Sequence, residues 1–207
     1  MAYDDRRAII RAYDRIAGEY LDQFGAPPPG TGDQEFIKQS LALMGAGPVL
    51  DAGCGPGLLA RQATEAGCRA IGADLTPAML AQAVRHAPAA RFVTADAWAL
   101  PLRNAACTGV FACYVAHHFP RRHAGAAFAE MRRVLAPGGR LVLTAHLGDG
   151  DQWHGDEPDQ IRVTLYTRPE LARLVRRAGF DVETFRWRDP AADEFQAEHG
   201  FLRARAR

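Results

Sequence analysis

Three carboxylates and three glycines stand where a polar, ribose-bearing ligand would be held. Asp51 follows the apolar pair Val49-Leu50, and Gly53, Gly55 and Gly57 come next at alternate positions. Glycines there remove Cβ atoms, so a ligand can lie against bare backbone, and they tolerate φ > 0 in a tight turn. Asp74 lies twenty-one positions after Gly53, at the end of an apolar run. A carboxylate so placed accepts hydrogen bonds from both hydroxyls of a ribose. Asp96 follows in Thr94-Ala95-Asp96-Ala97-Trp98-Ala99-Leu100-Pro101, and His117-His118 come after a fourth apolar run. An imidazole titrates near neutrality, which suits proton removal. The dinucleotide fingerprint G-x-G-x-x-G needs a third glycine where Leu58 stands. A phosphate loop needs Gly-Lys-Ser/Thr, and no lysine is near.

The elements that position these residues are legible from periodicity. Strands are expected over 48–52, 70–74, 90–94, 109–115 and 139–146, with helices over 58–66, 77–87 and 123–135 between them. Thr76-Pro77 is a helix start, a capping hydroxyl followed by proline. Pro137-Gly138-Gly139 is read as a stop and a turn. Alternating strands and helices argue for a parallel sheet covered on both faces. Before them, Ile9, Ile10, Tyr13, Ile16, Ala17 and Tyr20 recur at helical spacing until Pro27-Pro28-Pro29-Gly30, and a second helix is expected over 34–44. At the other end, Thr167-Arg168-Pro169-Glu170 caps a helix that stops at Gly179. Strands near 181–187 and 201–206 follow, and their short connection makes them antiparallel. The fold class is α/β, a doubly wound, mostly parallel sheet with a C-terminal antiparallel hairpin.

The segment from Val49 to Gly57, with Asp74 and Asp96, resembles the donor site of class I S-adenosylmethionine-dependent methyltransferases of the small-molecule, type 11-like kind. The resemblance covers Tyr13 to Ala206 and implies a seven-stranded Rossmann-like fold. It implies S-adenosylmethionine as cofactor, S-adenosylhomocysteine as product, and a small-molecule methyl acceptor. Asp51 would face the ammonium group and the glycine loop, with Cys54, would hold the amino-acid end. Asp74 would take the ribose, and Asp96 the adenine amino group, with Ala97 as apolar neighbour. Leu75, Met79, Cys113 and Tyr114 complete the expected cofactor set. Tyr13-Asp14-Arg15-Ile16-Ala17-Gly18-Glu19-Tyr20 resembles a lid helix of these enzymes, so residues 1–45 are expected as a helical lid and 46–207 as the cofactor-binding domain. Tyr20 would then close over the methionine end; the alternative is a helix whose tyrosines simply pack on the sheet. His117 and His118 are the base candidates, or else they shape the pocket floor. Alanine, cysteine and tyrosine at 112–115 do not match the Asn/Asp-Pro-Pro-aromatic signature of nucleic-acid amino-methyltransferases. One departure is Thr108, where relatives usually carry an acid.

Composition is ordinary for a globular chain of 207 residues, 48% hydrophobic and 24% charged. A net charge of +1 offers no field to gather nucleic acid or an anionic membrane, so neither is expected as a partner. Cys54, Cys68, Cys107 and Cys113 form no C-x-x-C pair, and no metal is expected. No apolar signal core or spanning run is seen, so cytoplasmic location is the default. The stretch 146–166, rich in glycine, acids and aromatics, is expected as a substrate-side loop. Its acids would either meet an amine substrate or simply be solvated. Rival functions are a donor-binding protein that transfers nothing, a tRNA or protein methyltransferase, and an NAD(P) oxidoreductase. Oligomeric state is not encoded in any of these features.

Overall fold

The computed structural model describes residues 3–24, 32–155, 160–192 and 194–207. The chain opens with α1 (Tyr3–Ile16), α2 (Tyr20–Phe24) and α3 (Asp33–Ala42). It then runs β1 (Pro48–Ala52), α4 (Leu58–Glu65), β2 (Arg69–Asp74), α5 (Pro77–His86), β3 (Arg91–Thr94) and β4 (Cys107–Cys113). A 3₁₀ turn (Ala116–His118) leads to α6 (Arg121–Val134) and β5 (Leu135–Leu147). The rest is β6 (Asp151–His154), β7 (Ile161–Thr164), α7 (Arg168–Arg177), β8 (Phe180–Arg188) and β9 (Glu198–Ala206).

Seven strands join in the order β3-β2-β1-β4-β5-β9-β8. The first five are parallel, and β9 runs antiparallel between β5 and β8. Strand order reverses between β1 and β4, which places the ligand crevice of such sheets at their carboxyl ends. Alternate residues of the central strands feed opposite faces, as the two-residue period requires. Leu50, Val110, Leu141, Leu143 and Leu202 pack with Phe128, Met131 and Val134 of α6 and Leu171 and Val175 of α7. Val49, Phe111, Val142 and Phe201 pack on the other face with Phe36, Ile37 and Leu41 of α3 and Leu59 and Ala63 of α4.

Three local departures have physical causes. The N-terminal helix breaks at residues 17–19 rather than running through to Tyr20, and Gly18, a poor helix former, lies there. The Pro27–Gly30 stretch expected to end it lies outside the described residues. Strand β5 begins at Leu135, so Pro137-Gly138-Gly139 is a bulge within a strand and not a turn before one. Its pairing with β4 shifts between Cys107↔Leu135 and Gly109↔Arg140, and Gly138 takes φ 76°. A Cβ on Gly139 would come within 2.9 Å of the Ala136 carbonyl oxygen. Finally, β6 and β7 pair as an antiparallel ribbon inside the expected loop 146–166. Asp156, Glu157 and Asp159 of that loop lie outside the described residues.

Candidate functional site

The glycine loop is tied to the neighbouring strand by its own backbone. The Gly53 N–H and the Cys54 N–H both donate to the Ala73 carbonyl, at 2.7 and 3.1 Å. Gly53, Gly55 and Gly57 all have positive φ, at 76°, 50° and 82°. At Gly53 the geometry excludes other residues outright: a Cβ would sit 2.6 Å from Val115 Cγ2. Asp74, at the end of β2, accepts from the Gly55 N–H and from the Thr76 N–H, each at 2.8 Å. One carboxylate thus fixes both the loop after β1 and the start of α5. Burial pushes its carboxyl up, and the Thr76 and Gly55 amides oppose that shift.

Asp51 is 3% exposed, and its Oδ2 has no hydrogen-bond partner. Burial first, and then the nearby Asp74 charge, push its carboxyl up to about 7. A buried acceptor left unpaired costs stability and points to a cationic or hydrogen-bonding ligand. The folded chain binds the Asp51 proton more tightly than the unfolded chain does. Stability is therefore lost as pH rises from the ordinary carboxylate range towards 7. Asp51→Asn is expected to raise the melting stability at pH 8 by about 1 kcal/mol and to change it little at pH 4. Differential scanning calorimetry at the two pH values checks this.

Asp96 is claimed from two sides. Its Oδ1 accepts the Trp98 N–H at 3.0 Å, and Arg6 Nη2 of α1 lies 2.8 Å from its Oδ2. The Arg6 guanidinium also stands 5.8 Å from the Trp98 ring centre. Helix α1 is pinned again at Tyr13, whose hydroxyl is 2.9 Å from His118 Nε2; that atom is 3.1 Å from His117 Nε2. The N-terminal helix therefore lies across the crevice. No signal in the sequence paired Arg6 with Asp96.

These residues wall a cleft of about 710 Å³, part of it open to solvent. Tyr20, Gly53, Gly55, Asp74, Leu75, Met79, Asp96, Ala97, Cys113, Tyr114 and His118 line it, joined by Ile9 and Tyr13 of α1 and by Trp98. Asp51, Cys54, Gly57 and His117 are not among its walls. A smaller hollow of about 350 Å³ lies under the ribbon, between Ala8, Ile9, Pro120, Trp153, Ile161 and Arg162. Ile9 and His118 line both spaces.

Four histidines cluster at and behind the cleft wall, with His118 on the wall itself. Rings of His117 and His118 are 4.1 Å apart, His117 and His146 5.3 Å, and His146 and His199 4.9 Å. Burial first, then neighbouring histidines, pull His118 down to about 3 and His146 to about 2, and hold His117 well below its ordinary range. Among the described residues no carboxylate offsets the burial of His117 or His118. Among the described residues no group of three histidine, cysteine or acidic side chains could hold a metal ion. Nor is any described helix long and apolar enough to cross a membrane.

Known proteins share both the sequence pattern and the fold. Residues 49–139 match the model of a methyltransferase domain. A malonyl-[acyl-carrier protein] O-methyltransferase from Enterobacter lignolyticus is 33% identical over 184 residues, 86% of this chain and 67% of that protein. The chain spans 52–60% of four further curated relatives. The magnesium protoporphyrin IX methyltransferase of Synechocystis PCC 6803, solved with bound S-adenosylmethionine, superposes with a TM-score of 0.73 at 18% identity, covering 100% of this chain and 99% of that one. The 1,6-didemethyltoxoflavin-N1-methyltransferase of Burkholderia thailandensis gives a TM-score of 0.67 at 23% identity, with 95% and 90% coverage. Those two likenesses concern the fold, and they match the seven-stranded sheet with its antiparallel edge hairpin. With the glycine loop, the strand-end acids and the extended match to the O-methyltransferase, the chain belongs to the class I S-adenosylmethionine-dependent methyltransferases.

Proposed function

We propose that the chain transfers a methyl group from S-adenosylmethionine to an oxygen, nitrogen, sulfur or carbon atom of a small molecule. The supporting observation is the pair of small cavities that meet at His118 and Ile9. The larger holds the donor in this reading, and the acceptor meets it along the wall that carries Tyr114 and His118. The donor supplies a methyl group already activated on a sulfonium, so alignment of the acceptor can supply much of the rate.

The cleft's chemistry fits that donor group by group. The unpaired Asp51 oxygen, which lies outside the cleft wall, offers a counter-charge to an ammonium that reaches past the glycine loop. Asp74 offers acceptor lone pairs to ribose hydroxyls, and Gly53 and Gly55 offer a bare backbone. Asp96 takes the adenine amino group beside Ala97, with Arg6 sharing the carboxylate. Tyr20, Leu75, Met79, Cys113 and Tyr114 wall the same space. Cys54 and Gly57 act only by shaping the loop. Residues 1–45 serve as the lid, through α1 and its contacts with Asp96 and His118.

Donor affinity carries a pH signature. Only ionised Asp51 attracts an ammonium, so S-adenosylhomocysteine should bind more tightly as pH rises through about 7. Titration calorimetry between pH 6 and 8 measures this, and Asp51→Asn is expected to flatten the profile. The function itself is tested by a transfer screen with labelled S-adenosylmethionine over phenols, amines, thiols, carboxylic acids and a carrier-protein-borne acyl group. Labelling of a free small molecule is the expected result. Labelling confined to the carrier-borne group would contradict the small-molecule assignment.

A further inference from the structure

We propose that Tyr114, His199 and Glu194 form a relay that takes the proton from a weakly acidic hydroxyl, phenol or enol, on the methyl acceptor. The inference rests on the methyltransferase reading above and narrows its acceptor class. Tyr114 lines the cleft and is held in the left-handed region, at φ 52°, at the end of β4. That unusual backbone sends its side chain towards β9, where the hydroxyl lies 2.7 Å from His199 Nδ1. The other ring nitrogen, Nε2, is 3.6 Å from Glu194 Oε2. Arg188 grips Glu194 through both of its carboxylate oxygens, at 2.6 and 2.7 Å, and the Ala191 N–H adds a bond of 2.7 Å. Arg188 in turn holds Asp33 of α3, at 2.6 and 3.1 Å. The contacts run from the cleft wall to His199, whose Nε2 has no hydrogen-bond partner and faces the part-buried Glu194 carboxylate across 3.6 Å.

His199 differs from His117 and His118 in what faces it, and it shares Glu194 with His146. His146 faces it from β5, Tyr114 from β4, Glu194 and the Phe195 carbonyl from the β8–β9 connection, with Arg188 and Asp33 beyond. Burial first, with Arg188, holds His199 below its ordinary range, and Glu194, Asp33 and the Phe195 carbonyl oppose that shift in part. Among the described residues no such anion acts on His117 or His118. A proton leaving the cleft therefore finds its counter-charge at His199. The step balances simply. With Nε2 protonated, Nδ1 presents a lone pair to the Tyr114 hydroxyl. The acceptor's O–H bond breaks, its proton joins the Tyr114 oxygen, and the proton of Tyr114 moves to Nδ1. The electron pair stays on the acceptor oxygen, and Glu194 faces the resulting imidazolium. A carboxylate acceptor, already ionised at neutral pH, would need no such chain.

The test uses the full-length protein, Tyr114→Phe, His199→Gln, labelled S-adenosylmethionine and phenols of graded acidity. Removing a general base is expected to slow transfer to unsubstituted phenol by about 100-fold, but to 4-nitrophenol by less than about tenfold, because the acidic phenol needs less help. A second readout needs no methyl transfer: 4-nitrophenol bound to the cofactor-free protein should show its phenolate absorbance at a pH where the free compound is protonated, and His199→Gln should abolish that shift. Equal slowing across all phenols, or a phenolate signal retained in His199→Gln, would overturn the relay in favour of a structural role. Transfer by the wild type to carboxylic acids but to no phenol, with S-adenosylhomocysteine still bound, would overturn the relay and leave the donor site standing. Failure to bind S-adenosylhomocysteine at all would instead overturn the function on which the relay rests.

Discussion

Asp74→Ala is expected to weaken S-adenosylhomocysteine binding by about 100-fold, close to 2.8 kcal/mol at about 1.4 kcal/mol per tenfold. Two losses combine. The ribose loses an ionised acceptor, and hydrogen bonds to charged groups are worth about 1.5–3 kcal/mol each. The Gly55 and Thr76 amides also lose the carboxylate that fixes them, so the loop must be ordered again on binding. Folding is expected to suffer less than binding, since burial already disfavours the Asp74 charge. Asp74→Asn keeps one acceptor oxygen and should fall between the two. Calorimetry on all three proteins checks the order; wild-type affinity in Asp74→Ala would remove the ribose assignment.

Arg188→Met is expected to destabilise the fold by about 3–5 kcal/mol, the cost of breaking a buried ion network by removing one partner. For a domain of this size that is a fall of roughly 10 °C in melting temperature. Arg188 is 18% exposed at its side chain, and it alone bridges Asp33 and Glu194, 11% and 13% exposed. Without it two carboxylates face each other across the start of α3 and the β8–β9 connection. The pH dependence discriminates this cause from lost packing. Arg188 holds the Glu194 carboxyl at about 2, down from 4.5. That stabilisation is complete above the ordinary carboxylate range and is lost as pH falls from 4.5 towards 2. The gap between wild type and variant should therefore narrow in acid. A gap that stays constant from pH 7 to pH 3, by urea titration, would contradict the ion-network account.

Much of the donor cleft was legible because its residues sit at the ends of consecutive strands. Asp51 and Asp74 stand at strand ends that lead into helices, Asp96 follows β3 on the way to β4, and the apolar runs before them mark the strands. Their common location follows from parallel topology alone. Tyr114 was legible at its strand end, but its partners were not. Tyr114, His146, Glu194 and His199 come from β4, β5, the β8–β9 connection and β9. Only the antiparallel insertion of β9 beside β5 sets His199 opposite His146. Arg6 reaches Asp96 from a helix that no local pattern aims at the crevice. The ribbon had a weak signal, the alternation Ile161-Arg162-Val163-Thr164, too short to separate from a loop. His117 and His118 stood out as adjacent imidazoles, yet proton affinity depends on the charges around a ring, and those are set by tertiary packing.

The central claim is that the cleft behind Asp74 and the glycine loop holds an adenosyl-methionine-type ligand. Isothermal titration of the protein with S-adenosylhomocysteine and, separately, with NAD tests it most directly. The account predicts one S-adenosylhomocysteine per chain, with affinity rising between pH 6 and 8, and no heat with NAD. Saturable NAD binding without S-adenosylhomocysteine binding would contradict it.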